Sequence, residues 1–322
     1  MSAGTWTPSQ ETESPPAATA PGKQLLSGEY AVLHGAPAVV AAVDRRAFAW
    51  LEAPTGGVSP LVAAAREETA RSLGETDVEA LPPVRVETRG FSRRGRKLGL
   101  GSSAAVVTAA CGALFAARGR GASTSREEIF RAALAAHRRA QGGRGSGVDI
   151  AASIFGGVLV YRMGETPLAV PAQGPPVVFV WTETPASTVS LVAAVEALAQ
   201  SNPAAHRSRI AELCGLADEL AAAWLAGDHL SILTLTGDYG KSMERLGQAL
   251  RLPVVPVVIA RLARLAERHG GAAKPSGAGG GDTAVAVFPD PERAAAFAAD
   301  CRTIGLSPLD LRVGAPGLWT AQ

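Results

Sequence analysis

Lys97-Leu98-Gly99-Leu100-Gly101-Ser102-Ser103-Ala104-Ala105, residues 97–105, sets two glycines and two hydroxyls directly ahead of an alanine-rich apolar run. That run, Ser102 to Ala117, reads as a helix. The first turn of a helix has unpaired N–H groups and a partial positive charge, so it suits a phosphate. Glycine lets the backbone approach phosphate oxygens closely. Ser102 or Ser103 can donate a hydrogen bond or ligate Mg²⁺. Taken alone, the same residues also make an ordinary Gly-Ser helix cap. Gly99, Gly101 and Ala104 match the spacing of a dinucleotide fingerprint, which needs a strand before it and an acid at a strand end about 20 positions on. Arg93-Arg94-Gly95-Arg96-Lys97 makes a poor buried strand, and Glu127 and Glu128 fall in a second helix, so that reading fails. A Walker A loop is excluded as well, because no Gly-Lys-Ser/Thr follows the glycines.

Two further segments concentrate glycine. Gly142-Gly143-Arg144-Gly145-Ser146-Gly147-Val148-Asp149 is a basic loop that opens a short helix at Asp149, where an aspartate can simply be a cap. Lys274-Pro275-Ser276-Gly277-Ala278-Gly279-Gly280-Gly281-Asp282 runs straight into the apolar strand pattern Thr283 to Phe288. So much glycine is costly in chain entropy, which points to backbone pressed against a ligand or another loop.

Outward from these segments, residues 1 to about 20 are rich in Ser, Thr, Pro, Ala and Glu and read as a disordered tail. Leu25-Leu26, Tyr30-Ala31-Val32-Leu33 and Ala38 to Ala42 read as buried strands, with Lys23 at the start of the first. Leu61 to Leu73 has helical spacing, and Val84 to Thr88 alternates like a half-exposed strand. Arg126 to Gln141 reads as a helix, Val148 to Ile154 as a short one and Gly157 to Tyr161 as a strand. The prolines at 171, 175 and 176 mark a boundary, giving domains of 21–170 and 171–322. Beyond it come a strand at Val177 to Trp181, several helices between Val189 and His269, a helix from Pro291 and a final strand near Leu309 to Val313. Strands and helices mix throughout, so the class is α+β or α/β.

The whole-chain figures limit the function. At 322 residues, with 47% hydrophobic and 19% charged residues, the chain can build a real core. A net charge of +2 and 5% aromatic residues do not suit RNA binding, despite the basic cluster Arg93 to Lys97. No apolar run approaches a membrane span and no secretion signal is visible. Cys111, Cys214 and Cys301 form no CxxC pair, which fits a reducing, cytoplasmic setting. His34, His137, His206, His229 and His269 show no ligand spacing and read as surface or helix decoration. Only four lysines occur, Lys23, Lys97, Lys241 and Lys274, so each marks a place where arginine was not used.

Three motifs in order make the chain resemble the GHMP kinases: Pro21-Gly22-Lys23 through Gly28-Glu29-Tyr30-Ala31-Val32-Leu33, then Gly99 to Ala105, then Ser276 to Asp282. The resemblance spans about residues 21 to 315. Within that family the chain most resembles the phosphomevalonate kinase branch. Gly28-Glu29-Tyr30 stands where mevalonate kinases usually carry Gly-Glu-His. Lys97 precedes the glycine loop, Ala140-Gln141-Gly142 to Asp149-Ile150-Ala151-Ala152 is similar to that branch, and so is Trp181-Thr182 through Ala186-Ser187-Thr188. The Glu that mevalonate kinases carry ahead of the aspartate falls on Arg138 here.

The resemblance implies an α+β, two-domain GHMP kinase fold, with a ribosomal-protein-like N-terminal half, a ferredoxin-like C-terminal half, and ATP and substrate meeting between them. It implies ATP and Mg²⁺ as cofactors, with Lys23 and Asp149 as catalytic residues. Lys97, Gly99, Leu100, Gly101, Ser102, Ser103 and Ala104 would bind ATP, and Ser103 would ligate the metal. Tyr30, Arg144, Ser146, Gly147, Ser187, Thr188, Ser276, Gly277, Ala278 and Gly279 would bind the substrate, 5-phosphomevalonate. The expected partner is that small molecule, with no nucleic acid and no membrane, in a monomer or homodimer. A phosphate acceptor has its second pKa near 6 and is already ionised, so Asp149 would orient Lys23 and the acceptor rather than act as a base.

Overall fold

The computed structural model describes residues 14–143, 145–171, 174–184 and 188–321. In chain order the first elements are β1 (Ala18–Ser27), a 3₁₀ turn at Ala31–His34, β2 (Ala38–Trp50), α1 (Pro60–Leu73), β3 (Arg85–Arg89), β4 (Ser92–Arg93) and β5 (Arg96–Lys97). They are followed by α2 (Ser102–Ala116), α3 (Ala122–Ala140), α4 (Val148–Phe155), β6 (Val158–Tyr161) and β7 (Leu168–Ala169). Then come β8 (Val177–Trp181), α5 (Thr188–Ser201), α6 (Pro203–Ala226), α7 (His229–Leu250), α8 (Val257–Arg268) and β9 (Ala272–Pro275). The last are β10 (Thr283–Val287), α9 (Pro291–Thr303), β11 (Ser307–Leu309) and β12 (Trp319–Thr320).

The chain forms two compact units, and neither is one continuous stretch. The first holds residues 1–23, 41–158 and 312–322; the second holds 24–40 and 159–311. The proline-rich boundary near residue 170 lies inside the second unit, because the chain passes between units at Lys23, Val40 and Val158 and again at Leu311.

In the first unit, β1 pairs antiparallel with β12, Ala18 opposite Thr320, and β2 pairs with β3, Arg46 opposite Arg89. Residues 18–20, expected in the tail, are therefore buried strand, and Lys23 lies within β1 rather than at its start. Residues on this strand are satisfied by a partner some 300 positions away, which no local pattern announces. Arg46 ties the same edge down: its guanidinium donates to Thr19 O and Oγ1, to Pro316 O and to Gly317 O. α2 packs against α1 and α3 and is buried along almost its whole length, as its alanines allow.

In the second unit, the strand order β11-β8-β10-β9 makes an antiparallel sheet. Ile259, Leu262 and Ala266 of α8 and Phe297 of α9 pack on Val180, Ala284, Ala286 and Phe288. The strand expected near Leu309 to Val313 ends at Leu309, and Val313 makes only an isolated bridge to Val43 in the first unit's own strand β2. The strand expected at Tyr30 to Leu33 is instead a 3₁₀ turn. Tyr30 has φ +62, which throws the chain out of extended geometry just where the turn begins. Among the described residues no helix is long and apolar enough to cross a membrane.

Candidate active site

The first unit gathers the glycine loop, Lys23 and Asp149. β5 and β4 form an exposed two-residue hairpin turned by Arg94 and Gly95, both at positive φ. Lys97 stands on this hairpin, exposed, and Leu98 then returns to the core by donating its N–H to Phe91 O. The loop Gly99-Leu100-Gly101 follows. Leu100 O accepts the N–H of Lys23 at 2.9 Å, which fixes the loop beside β1. Gly101, at φ +71, is the residue before α2, and a Cβ there would meet Lys23 Cγ at 2.8 Å. Any side chain at 101 would displace the lysine stem, so glycine is required twice over, by conformation and by space.

Lys23 Nζ lies 3.0 Å from Asp149 Oδ1, with the two side chains 13% and 28% exposed. Asp149 is held by the start of α4. Gly147 precedes the helix at φ +89, and Ser146 Oγ accepts the N–H of Val148. Asp149 thus sits in the first turn, where a negative charge is favoured by the helix dipole. Ser153 Oγ, one turn further on, donates to Pro21 O at 2.8 Å and anchors α4 to the residues before Lys23. α2 begins with no side chain capping its N-terminus, so its first N–H groups remain available to an anion.

Ser103, Ser102 and Ala104 form the first turn of α2. Ser103 Oγ lies 3.2 Å from Nε2 of His137, and Gln141 Nε2 lies 3.0 Å from that same nitrogen. His137 is 5% exposed, so it is not surface decoration. Burial pushes its imidazole below the ordinary value, Asp149 pulls it up, and Lys23 pushes it down further. A signal for it existed. Ile129, Ala132, Ala133, Ala136 and His137 all lie on the buried stripe of α3, at helical spacing.

Ser103 gives a divalent cation one hard oxygen. No group of three or more His, Cys, Asp and Glu is gathered among the described residues. One hydroxyl oxygen fits Mg²⁺ only as a supplement to substrate phosphates and the waters that ion retains, and it does not make an all-protein cage.

The second unit gathers the other expected residues. Glu29 and Lys274 form an ion pair with no exposed side-chain area on either partner. Glu29 Oε1 also accepts the N–H of Gly277, while Oε2 has no hydrogen-bond partner among the described residues. Lys274 donates to Pro275 O as well and lies over the ring of Tyr239, 5.3 Å from its centroid. Burial lowers the Lys274 ammonium from its ordinary value, with Glu29 opposing.

The hydroxyl of Tyr30 donates to Ala278 O, and Ser276 Oγ donates to Gln24 Oε1 at 2.6 Å and accepts the N–H of Leu25. Gly280 donates to Val254 O, and Asp282 donates to Thr184 O. A Cβ on Gly279 would run into the carbonyl of Val254, and one on Gly281 into that of Thr184. The hydroxyl of Tyr30 is therefore spent on the Ala278 backbone, and that of Ser276 on Gln24 and Leu25. Thr188, exposed, opens α5. Arg144 and Ser187 lie outside the described residues.

Residues 61–157 match the GHMP kinases N terminal domain, and residues 232–304 match the GHMP kinases C terminal model. A phosphomevalonate kinase of Streptomyces sp. (strain CL190) is 30% identical, over 84% of this chain and 88% of that protein. The chain belongs to the GHMP kinase family, and its α+β, two-unit architecture is the fold of that family. A mevalonate kinase of Pyrococcus horikoshii is 28% identical, over 94% of this chain and 96% of its own length. Among solved structures, the phosphomevalonate kinase of Streptococcus pneumoniae in complex with phosphomevalonate and AMPPNP superposes with a TM-score of 0.76. It is 20% identical and covers 92% of this chain and 99% of its own. That level of identity shows a shared fold and nothing finer.

Proposed function

We propose that this GHMP kinase transfers the γ-phosphoryl group of ATP to 5-phosphomevalonate, giving 5-diphosphomevalonate and ADP in the mevalonate route to isoprenoids. The observation that carries the reading is the likeness to the Streptomyces phosphomevalonate kinase, at 30% identity over 84% of the chain. The state of Asp149 is consistent with it. Its carboxylate is engaged by Lys23 at 3.0 Å. A phosphate acceptor is already ionised at neutral pH and needs no base to prepare it.

Phosphoryl transfer is mostly positioning and charge neutralisation. The open N-terminus of α2 would receive nucleotide phosphate oxygens, and Ser102 would donate to them. Lys23 would place its ammonium against the transferring group, and Asp149 would fix where that ammonium lies. Ser103 would hold Mg²⁺, which supplies further neutralisation of the phosphate charge when bound. Lys97, on its exposed hairpin just before the loop, would add a cation for a phosphate.

A second reading, phosphorylation of mevalonate itself, is favoured by the match to the Pyrococcus mevalonate kinase over 94% of the chain. A coupled ADP-release assay with Mg²⁺-ATP and either acceptor separates the two. Turnover with 5-phosphomevalonate alone is the expected result. Turnover with mevalonate alone would overturn the acceptor while leaving the ATP site, and turnover with neither would refute both.

A further inference from the structure

Tyr30 has backbone geometry that a bulky residue rarely adopts, with φ +62 and ψ −47. Across it the N–H of Ala31 donates to Glu29 O at 2.7 Å, so residues 29–31 form a γ-turn of the strained kind. A chain reversal alone would be served without strain by glycine. Strain of this kind persists only where the surroundings over-determine it, and here they do.

In extended chain, consecutive side chains point to opposite faces. The turn at Tyr30 instead brings two consecutive side chains to one loop of the second unit. Glu29 Oε1 accepts the N–H of Gly277 at 3.3 Å, and the Tyr30 hydroxyl donates to Ala278 O. The hydroxyl of Tyr239 donates to Glu29 O at 2.8 Å and holds the same turn. These directions are fixed by the groups themselves, because an amide N–H can only donate and a carbonyl oxygen can only accept.

Stability is a poor explanation of the Glu29–Lys274 pair. Neither side chain has exposed area, and Glu29 Oε2 has no hydrogen-bond partner among the described residues. An unpartnered buried oxygen is a cost, and apolar groups in place of a whole buried pair are often no worse. What apolar groups could not supply is an acceptor, fixed in place, for the N–H of Gly277.

We propose that Glu29 is a positioning residue: anchored by Lys274, its carboxylate holds the Gly277 N–H and so sets the backbone of Gly277-Ala278-Gly279 for the acceptor. The inference rests on the reading that these residues meet the acceptor, and it holds for either acceptor.

Two variants that both lack the buried charges test it. Glu29→Gln/Lys274→Met keeps an amide oxygen for the Gly277 N–H, and Glu29→Leu/Lys274→Met keeps none. Steady-state constants are measured with the acceptor that wild type turns over, at a temperature where circular dichroism shows every protein folded. Glu29→Leu/Lys274→Met should raise the acceptor KM about tenfold, the scale of one lost hydrogen-bonded contact, with ATP KM within about twofold of wild type. Glu29→Gln/Lys274→Met should bring the acceptor KM back to within about threefold of wild type. A merely structural role would lower the melting temperature or the active fraction and leave acceptor KM unmoved.

An acceptor KM within about twofold of wild type in Glu29→Leu/Lys274→Met overturns the proposal. So does equal impairment of the two variants. If Glu29→Leu/Lys274→Met does not fold, amide hydrogen exchange of the wild type, read by NMR, decides. The Gly277 N–H should exchange at least about tenfold more slowly than an open loop amide, and exchange at the open-loop rate overturns the proposal. That measurement uses no acceptor. A wild type that protects Gly277 yet turns over neither mevalonate nor 5-phosphomevalonate therefore refutes the acceptor reading and leaves the hold of Glu29 on the loop established.

Discussion

Lys274→Met is the substitution whose outcome the structure constrains most tightly. Methionine keeps the stem and deletes the ammonium. Glu29 is left with no exposed side-chain area and, of its former partners, only the N–H of Gly277. Its Oε2 is already without a partner among the described residues, so nothing nearby is positioned to compensate. Removing one member of a buried ion pair costs about 3–5 kcal/mol, because the surviving charge stays in a poor solvent. At roughly 2–4 °C per kcal/mol for a unit of this size, the melting temperature should fall by about 6–20 °C.

The double variant Glu29→Gln/Lys274→Met removes both charges. It should recover at least about 2 kcal/mol relative to Lys274→Met, since replacing a whole buried pair by neutral groups is often close to neutral. Urea unfolding followed by tryptophan fluorescence is the assay. Trp181 and Trp224 belong to the second unit, which holds the pair, and Trp50 and Trp319 to the first. A loss below about 1 kcal/mol in the single variant would refute the reasoning, as would a double variant as unstable as the sum of the singles.

Three other outcomes are expected. Lys23→Met should lower kcat about 100–1000-fold, the scale of losing one charge-stabilising donor, and Asp149→Asn should lower it less; steady-state rates in the opposite order would refute the orienting role of Asp149. Arg46→Met should destabilise the chain by about 3 kcal/mol in thermal unfolding by orphaning buried carbonyls, and Arg46→Lys should not rescue it, because an ammonium cannot span the Thr19, Pro316 and Gly317 acceptors. Burial first and His206 second hold the His34 imidazole below its ordinary value. The unfolded chain therefore binds that proton more readily, and stability present above about pH 6.5 is lost as the pH falls below it. His34→Gln should flatten that loss when urea midpoints at about pH 7.5 and about pH 5.5 are compared with wild type.

The fold and the elements that carry the candidate site were legible wherever the signal was local. The glycine run ahead of an alanine-rich stretch marked α2, and apolar spacing marked α1 and the body of α3. Illegible features depended on distant partners. Nothing near Ala18 foretells its pairing with Thr320. Nothing near Tyr30 foretells the positive φ that turns an apolar run into a 3₁₀ turn, because the hydroxyl it commits is accepted at Ala278. Lys274 was conspicuous as one of four lysines, yet its burial depends on Glu29, 245 positions earlier. His137 was a different failure. Its place on the buried stripe of α3 is visible in the sequence, but metal-ligand spacing says nothing of the face a histidine occupies.

The interleaving of the two units bears on how the chain is made. Residues 312–322 complete the first unit, yet a ribosome reaches them only after all of residues 159–311. At roughly 5–20 residues per second, that stretch alone takes about 8–30 s to synthesise. Throughout that interval the edge of β1 at Ala18 and Thr19 lacks the β12 strand that will cover it. An uncovered strand edge on a nascent chain is a template for misassociation. The first unit therefore reaches its final form last although it is begun first.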